Sequence, residues 1–459
     1  MPLHRSPFCV LLCNKLQEMS FYHYMIRRLS FFLLSIAALF TACSDNDSFS
    51  ANPSAQLTFS VDTLQLDTLF STIPSSTYTF WVYNRTGDGL RINNVRLERG
   101  NQSGFRANVD GTFLDPVATS LEVRKGDSLR VFVEVTPRET NAIDPQLIED
   151  QLVFTLESGV IQRVNLRAYS WDAVALNNLV VANDTTIEST RPVVVYGKGI
   201  TVEEGRTLTI RNTSLYFHDG AGISVAGTLI AENSILRGDR LDHMFDYLPY
   251  DRISGQWDGI HLLPTSKNNQ LTQCELRNAM TAVACDSTDL QMRQCIVHNS
   301  KGHGVIATDA TVVIDQCMLT NALDDCLALH GGTATVSHCT LAQFYPFSAD
   351  RGVALRFTYG KQPLMIDCST TLVTGYANDV LMREADDKQP AVDFHFADCI
   401  LRTDSVNDPQ VLERIIWETP KDSVQGKQHF RVFDEDNLYY DFRLDSISPA
   451  FQKGIGCIY

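Results

Sequence analysis

Gln273-Cys274-Glu275-Leu276, Gln294-Cys295-Ile296-Val297, Gln316-Cys317-Met318-Leu319 and His338-Cys339-Thr340-Leu341 are one phrase written four times. It recurs more loosely as Asn212-Thr213-Ser214-Leu215, Asn233-Ser234-Ile235-Leu236, Asp367-Cys368-Ser369-Thr370 and Asp398-Cys399-Ile400-Leu401. The second residues, Thr213, Ser234, Cys274, Cys295, Cys317, Cys339, Cys368 and Cys399, are separated by 21, 40, 21, 22, 22, 29 and 31 residues. A unit of about 22 residues therefore repeats, and some units carry insertions. Self-similarity at such a period is the mark of a solenoid.

Within each unit the apolar residues alternate with period two, as Leu208 and Ile210, Leu229 and Ala231, or Val312 and Ile314 do. That is strand spacing. A second short apolar run follows at 222–225, 259–262, 282–285, 304–307, 326–329 and 352–355. Short strands at a fixed period make coils that stack as parallel sheets, each coil burying its inner side chains on the next. The reading is a right-handed parallel β-helix over 192–459, with Val193 to Val202 as its capping first coil.

Upstream the pattern differs. Residues 56–170 hold alternating runs such as Thr79 to Asn84 and Leu129 to Val135, divided by turns such as Gly87-Asp88-Gly89 and Lys125-Gly126-Asp127. Strands at this spacing predict a β-sandwich. The phrases FWVYNRTGDGLRINNV (80–95), KGDSLRVFVEVTP (125–137) and VNLRA (164–168) resemble the immunoglobulin-like (Ig-like) domains of bacterial surface lipoproteins and cilium-associated proteins. That resemblance implies a spacer or interaction module. Residues 171–191 read as a linker between the two domains. The fold class is all-β, an Ig-like β-sandwich followed by a β-helix.

The first 43 residues read as an address. Arg27-Arg28 precedes an apolar run at 29–40 that is too short to span a bilayer, which suits a cleaved signal with Met25 as the true start. Phe40-Thr41-Ala42-Cys43 resembles a bacterial lipobox, implying lipidation of Cys43 and a membrane as partner. Residues 44–55, rich in Ser, Asp and Asn, form a tether.

The stretches LTIRNTSLYFHDGAGISVAGTLIAENS (208–234), LRGDRLDHMFDYLPYDRISGQWDGIHLLPTSKNN (236–269) and HNSKGHGV (298–305) resemble the right-handed β-helix lipoproteins of Bacteroidetes. The resemblance implies attachment to the outer membrane. The wider pectate-lyase-like superfamily contains lyases and polygalacturonase-like hydrolases. Gly302-His303-Gly304 and Asp324-Asp325 resemble part of the polygalacturonase set, but in reversed order and without its Asn-Thr-Asp and Arg-Ile-Lys elements.

The balance of 54 Asp and Glu against 38 Lys and Arg argues against a nucleic-acid partner, which needs a basic face. The cysteine column reads as a ladder of small buried thiols. In-register neighbours on parallel strands point the same way, against disulfide geometry, and Cys-x₂-Cys metal spacing is absent. No metal or cofactor is expected. The carboxylates of the insertion between Ser234 and Cys274 leave Ca²⁺ as an alternative without EF-hand spacing.

Chemistry in a filled solenoid must lie on its outer face. Aligning the second strands on Ile260, Val283, Val305, Leu327, Val353 and Val380 makes His303, Asp325 and Arg351 rung neighbours and the catalytic candidates. The same alignment places His330, Arg356 and Arg383 beside them as binding residues. Arginines there would grip a carboxylate or sulfate, and a base would abstract a proton beside a uronate carboxyl. Trp257, Asp258, Tyr247 and Tyr250 of the insertion combine aromatic faces with a carboxylate, as a neutral-sugar platform does. Glycan or surface-component binding is the leading expectation. The alternatives are a lyase or hydrolase of an acidic polysaccharide and a structural subunit of an outer-membrane assembly.

Overall fold

A computed structural model describes residues 48–458 except 246, 384–388 and 423. The lipobox with Cys43, the start at Met25 and residues 44–47 of the tether lie outside the described residues.

The first domain is a sandwich of two five-stranded sheets. One sheet contains Tyr78–Tyr83, Ser128–Val135 and Phe105–Val109, and the other Thr63–Phe70, Ile161–Trp171, Gln146–Leu156, Leu90–Leu97 and Val117–Val123. Every second residue along Ser128–Val135 and along Ile161–Trp171 is buried, so one face of each sheet meets the shared core of Leu66, Phe80, Val95, Val133 and Phe154. The second domain is a single 26-stranded sheet wound into stacked coils, with each strand paired in parallel to its counterpart one coil away. Ile210, Ala231, Leu271, Met292, Ile314, Val336, Cys368 and Phe396 face one another rung by rung and form one inner ladder.

The repeated phrase marks one corner of every coil. Asn212, Asn233, Gln273, Gln294, Gln316, His338, Thr370 and Asp398 all hold φ between +43° and +54°, a left-handed bend. The next residue points inward, and its side chain serves the backbone. Cys295 N–H donates to Cys317 Sγ at 3.4 Å, Cys317 N–H to Cys339 Sγ at 3.4 Å, and Thr213 N–H to Ser234 Oγ at 3.4 Å. Each thiol or hydroxyl donates in turn to the carbonyl two residues before it, at 2.8 Å for Ser234 and 3.3 Å for Cys317. The column is therefore more than small apolar filling. Ser, Thr and Cys interchange because all three can accept from an N–H that the bend leaves without a strand partner.

The register corrects one member. Cys368 belongs to the inner ladder opposite Val336, and the corner position of that coil is Thr371, whose Oγ1 accepts from Cys339 N–H at 3.3 Å. The nine described cysteines are buried, and burial holds the Cys317 and Cys326 thiols above the ordinary thiol range.

Two domain boundaries also move. Residues 171–191 are not a linker, because Val174–Val181 and Thr185–Ile187 pair in parallel with Val193–Val202 and Thr207–Arg211. The solenoid thus begins three residues after Trp171. At the other end the coils stop at Ile416–Glu418. The hairpin of Phe430–Asp434 with Tyr439–Leu444 and the short helix Pro449–Gln452 then lie across one outer face. There Phe430, Phe442 and Ile455 cover Met318, Phe344, Leu372 and Ile400.

The domains are joined by side chains. Phe70, Ile73, Val194 and Tyr216 form a small core with Trp171. Buried Asp242, from the insertion, accepts from Ser76 N–H at 2.9 Å and pairs with Arg240, which also donates to Ser76 Oγ at 2.7 Å. His243 contacts Asp67, to which Tyr78 donates at 2.8 Å.

The corner hydrogen bonds separate two substitutions at one site. Cys317→Ser keeps an acceptor for Cys295 N–H, whereas Cys317→Ala strands that buried donor and leaves a void, costing about 1–3 kcal/mol more. Urea unfolding of the two variants measures the difference, and equal stabilities would refute the corner role.

Candidate functional site

The same corners shape a cleft. Between the left-handed bends and the strands that follow them runs a groove of about 720 Å³. Its wall carries the side chains of Asn212, Asn233, Gln273 and Gln294, one per coil, and its end is Trp171 with Arg191 and Pro192. Asn233 Nδ2 donates to Asn212 Oδ1 at 2.9 Å, and Gln294 Nε2 to Gln316 Oε1 at 3.0 Å. The floor is Ser214, Ile235, Glu275 and Ile296. Glu275 is paired with Arg277, so the floor has little net charge. These residues were absent from the sequence-level candidates. Their signal is the first position of the repeated phrase, always Asn or Gln over these four coils.

The candidates on the second strands divide. His303 and Asp325 are indeed rung neighbours, since Val305 pairs with Leu327. Arg351 is not their neighbour. Leu327 pairs with Leu355, so the loop before that strand is two residues longer than the alignment on Val353 assumed. Val353 therefore sits opposite Asp325 and donates its N–H to Asp325 Oδ1 at 2.9 Å. Asp325 also accepts from Arg356 Nε at 2.6 Å and Arg356 Nη2 at 2.9 Å. With its side chain 3% exposed, Asp325 is a strut that ties two coils. His303 Nδ1 accepts from Asp325 N–H at 3.2 Å, which assigns the ring proton to Nε2 in the neutral form.

Half-buried His330 has its basicity lowered by burial and by the nearby His303 and Arg356. Its rung partner is Thr358, so Arg356 lies in another column. Arg383 pairs with Thr358 through the backbone, and its side chain lies outside the described part. Arg351 stacks on Tyr376, with its guanidinium carbon 4.2 Å from the ring centre, and donates to the Ser348 carbonyl at 3.1 Å. No hydrogen bond or ion pair joins it to His303 or Asp325 among the described residues.

The insertion does not assemble one platform. Trp257 is fully buried, stacked on Phe217 at 4.4 Å and donating to the Arg277 carbonyl at 2.7 Å, so it belongs to the solenoid core. Exposed Asp258 lies 3.0 Å from His261 Nε2. One face of Tyr250 is covered by Arg240 at 4.3 Å, while Tyr247 is exposed and stacks with Phe245 at 5.6 Å. Asp242 and Asp251 face arginines, and no cluster of three or more metal-binding side chains occurs among the described residues.

Residues 173–341 match the family described as right-handed β-helix region. The match assigns the hand of the coils and covers the groove, Trp171 excepted, together with His303, Asp325 and His330. No curated protein matches the chain. Among solved structures, the PapD-like domain 7 of human CEP192 is similar at 11% identity, covering 28% of this chain and 96% of that one, with a TM-score of 0.19. A family 123 glycoside hydrolase from Clostridium perfringens is similar at 8% identity, covering 26% of each chain, with a TM-score of 0.18.

Beside Arg351 lies a carboxyl with a pH consequence. Buried Asp379 accepts from Ala377 N–H at 3.1 Å, and desolvation, outweighing Arg402 and Arg351, pushes its pKa from 3.8 up to about 7. The folded state then holds a proton that the unfolded chain releases. This contribution is full below the ordinary carboxylate value, falls as pH rises toward 7, and is flat above. Asp379→Asn, which keeps the acceptor, is expected to remove on the order of 2–4 kcal/mol of that decline. Urea unfolding from pH 4 to pH 8 tests it; parallel profiles for both proteins would refute it.

Proposed function

We propose that this chain is an exported, lipid-anchored lipoprotein of the Bacteroidetes β-helix type that binds glycan without cleaving it. In this reading Cys43 carries the anchor at the outer membrane, and the Ig-like sandwich serves as a stalk. The observation that carries the binding reading is the groove with its row of amides. Amides offer both donors and acceptors, Ile235 and Ile296 offer apolar contact, and a concave polar cleft of this size suits a small saccharide. The cluster of His303, Asp325 and Arg356 supports binding over lysis, because its carboxylate is already committed to three donors.

The test is a panel of neutral and acidic polysaccharides offered to soluble protein starting at Ser44. A double variant, Gln273→Gly with Gln294→Gly, removes two amides while glycine suits the left-handed bend. Loss of a wild-type hit without loss of thermal stability supports the groove. Retained binding removes it.

Anchoring has its own test. Cys43→Ser is expected to move the protein from the membrane fraction to the soluble fraction and to abolish acyl labelling. Unchanged membrane association would refute the anchor.

A further inference from the structure

We infer that the ligand is a short, linear, neutral oligosaccharide segment lying parallel to the solenoid axis, one sugar ring per coil. This rests on the glycan reading above and specifies it. Asn212, Asn233, Gln273 and Gln294 follow one another coil by coil, so they are spaced by about one strand separation, ~4.8 Å. An extended pyranose chain advances by a similar distance per ring. Each ring can therefore meet one amide, that of Asn212 being held by Asn233 and Glu188 at 2.9 and 3.2 Å.

Both ends of the groove are closed by this chain. Trp171, Arg191 and Pro192 stand at the first coil. Beyond Gln294, the C-terminal segment sits on the next coils: Cys457 N–H donates to Thr340 Oγ1 at 2.9 Å and Cys457 Sγ to the Gln316 carbonyl at 3.5 Å. The run from first to last amide is three strand separations, roughly 15 Å. That length holds about four rings and no more.

Charge selects against a polyanion. Arg191 is the groove's cation, and Glu275, its floor carboxylate, is neutralised by Arg277. The protein around it carries a net charge of −16. A chain of uronates or sulfates would meet repulsion with a single arginine to offset it.

Calorimetric titration of the two-domain protein from Ser44 with gluco-, manno- and xylo-oligosaccharides and with uronate oligomers, each of increasing length, tests this. Affinity should rise with each unit to a plateau at about four. Gln273→Gly should weaken the tetramer roughly three- to tenfold, one or two hydrogen bonds, with an unchanged or raised melting temperature. A monomer that binds as well as a hexamer, or affinity that climbs without a plateau, overturns the axial segment and leaves the glycan reading standing. Binding of uronate oligomers alone overturns the neutral ligand. Failure of every sugar overturns the glycan reading itself.

Discussion

The solenoid depends on one corner repeated in every coil. A single residue in the left-handed region turns the chain between two strands, and the N–H of the next residue then runs along the stack. Only a small side chain with a lone pair, on the neighbouring coil, can reach it without swelling the interior. Serine, threonine and cysteine meet both conditions. Alanine meets the size condition and fails the other, while larger polar residues fail the first. Each corner is completed by the coil that follows, so no coil is satisfied alone, which is why neighbours stabilise one another in such arrays.

This constraint explains what the sequence made legible. The bend and its acceptor write a two-residue phrase at a fixed period, and alternating apolar residues write the strands between. Cys368 shows the limit of that reading. It occupies a Cys-containing phrase, yet the hydrogen bond from Cys339 goes to Thr371, because an acceptor and not a thiol is what the corner requires. Length changes between coils are similarly silent. The two extra residues before Leu355 move Arg351 from the second-strand face to a loop against Tyr376, and no local pattern announces where an insertion ends. Strand pairing does, since a parallel ladder admits one register at a time.

Aromatic content misled for a different reason. Trp257 stands in a run of aromatic and acidic residues that reads as a surface platform, but it begins the next coil and stacks inside on Phe217. The rest of that run divides between roles. Asp242 and Arg240 bind the sandwich through Ser76, and Leu241 packs near the inter-domain cluster. The insertion thus contributes a clamp between domains, and the absence of a true linker after Trp171 makes that clamp geometrically natural. At the far end, the C-terminal hairpin covers an apolar outer face that the coils alone would leave wet. Both additions solve the same problem, the exposure that a regular stack cannot bury at its ends and on its flanks.

The groove follows from the corner as well. A left-handed bend tolerates Asn better than most residues, and the outward side of the bend is where its side chain must go. Gln gains less from that backbone preference, yet it holds the position at 273, 294 and 316. Backbone energetics alone would favour Gly or Asn there. What Gln adds is reach, carrying its amide farther from the backbone beside a cleft that Trp171 and the C-terminal segment close. Fold and candidate site are in this way written by adjacent residues of one phrase, the second facing inward to serve the stack and the first facing outward to whatever lies along it.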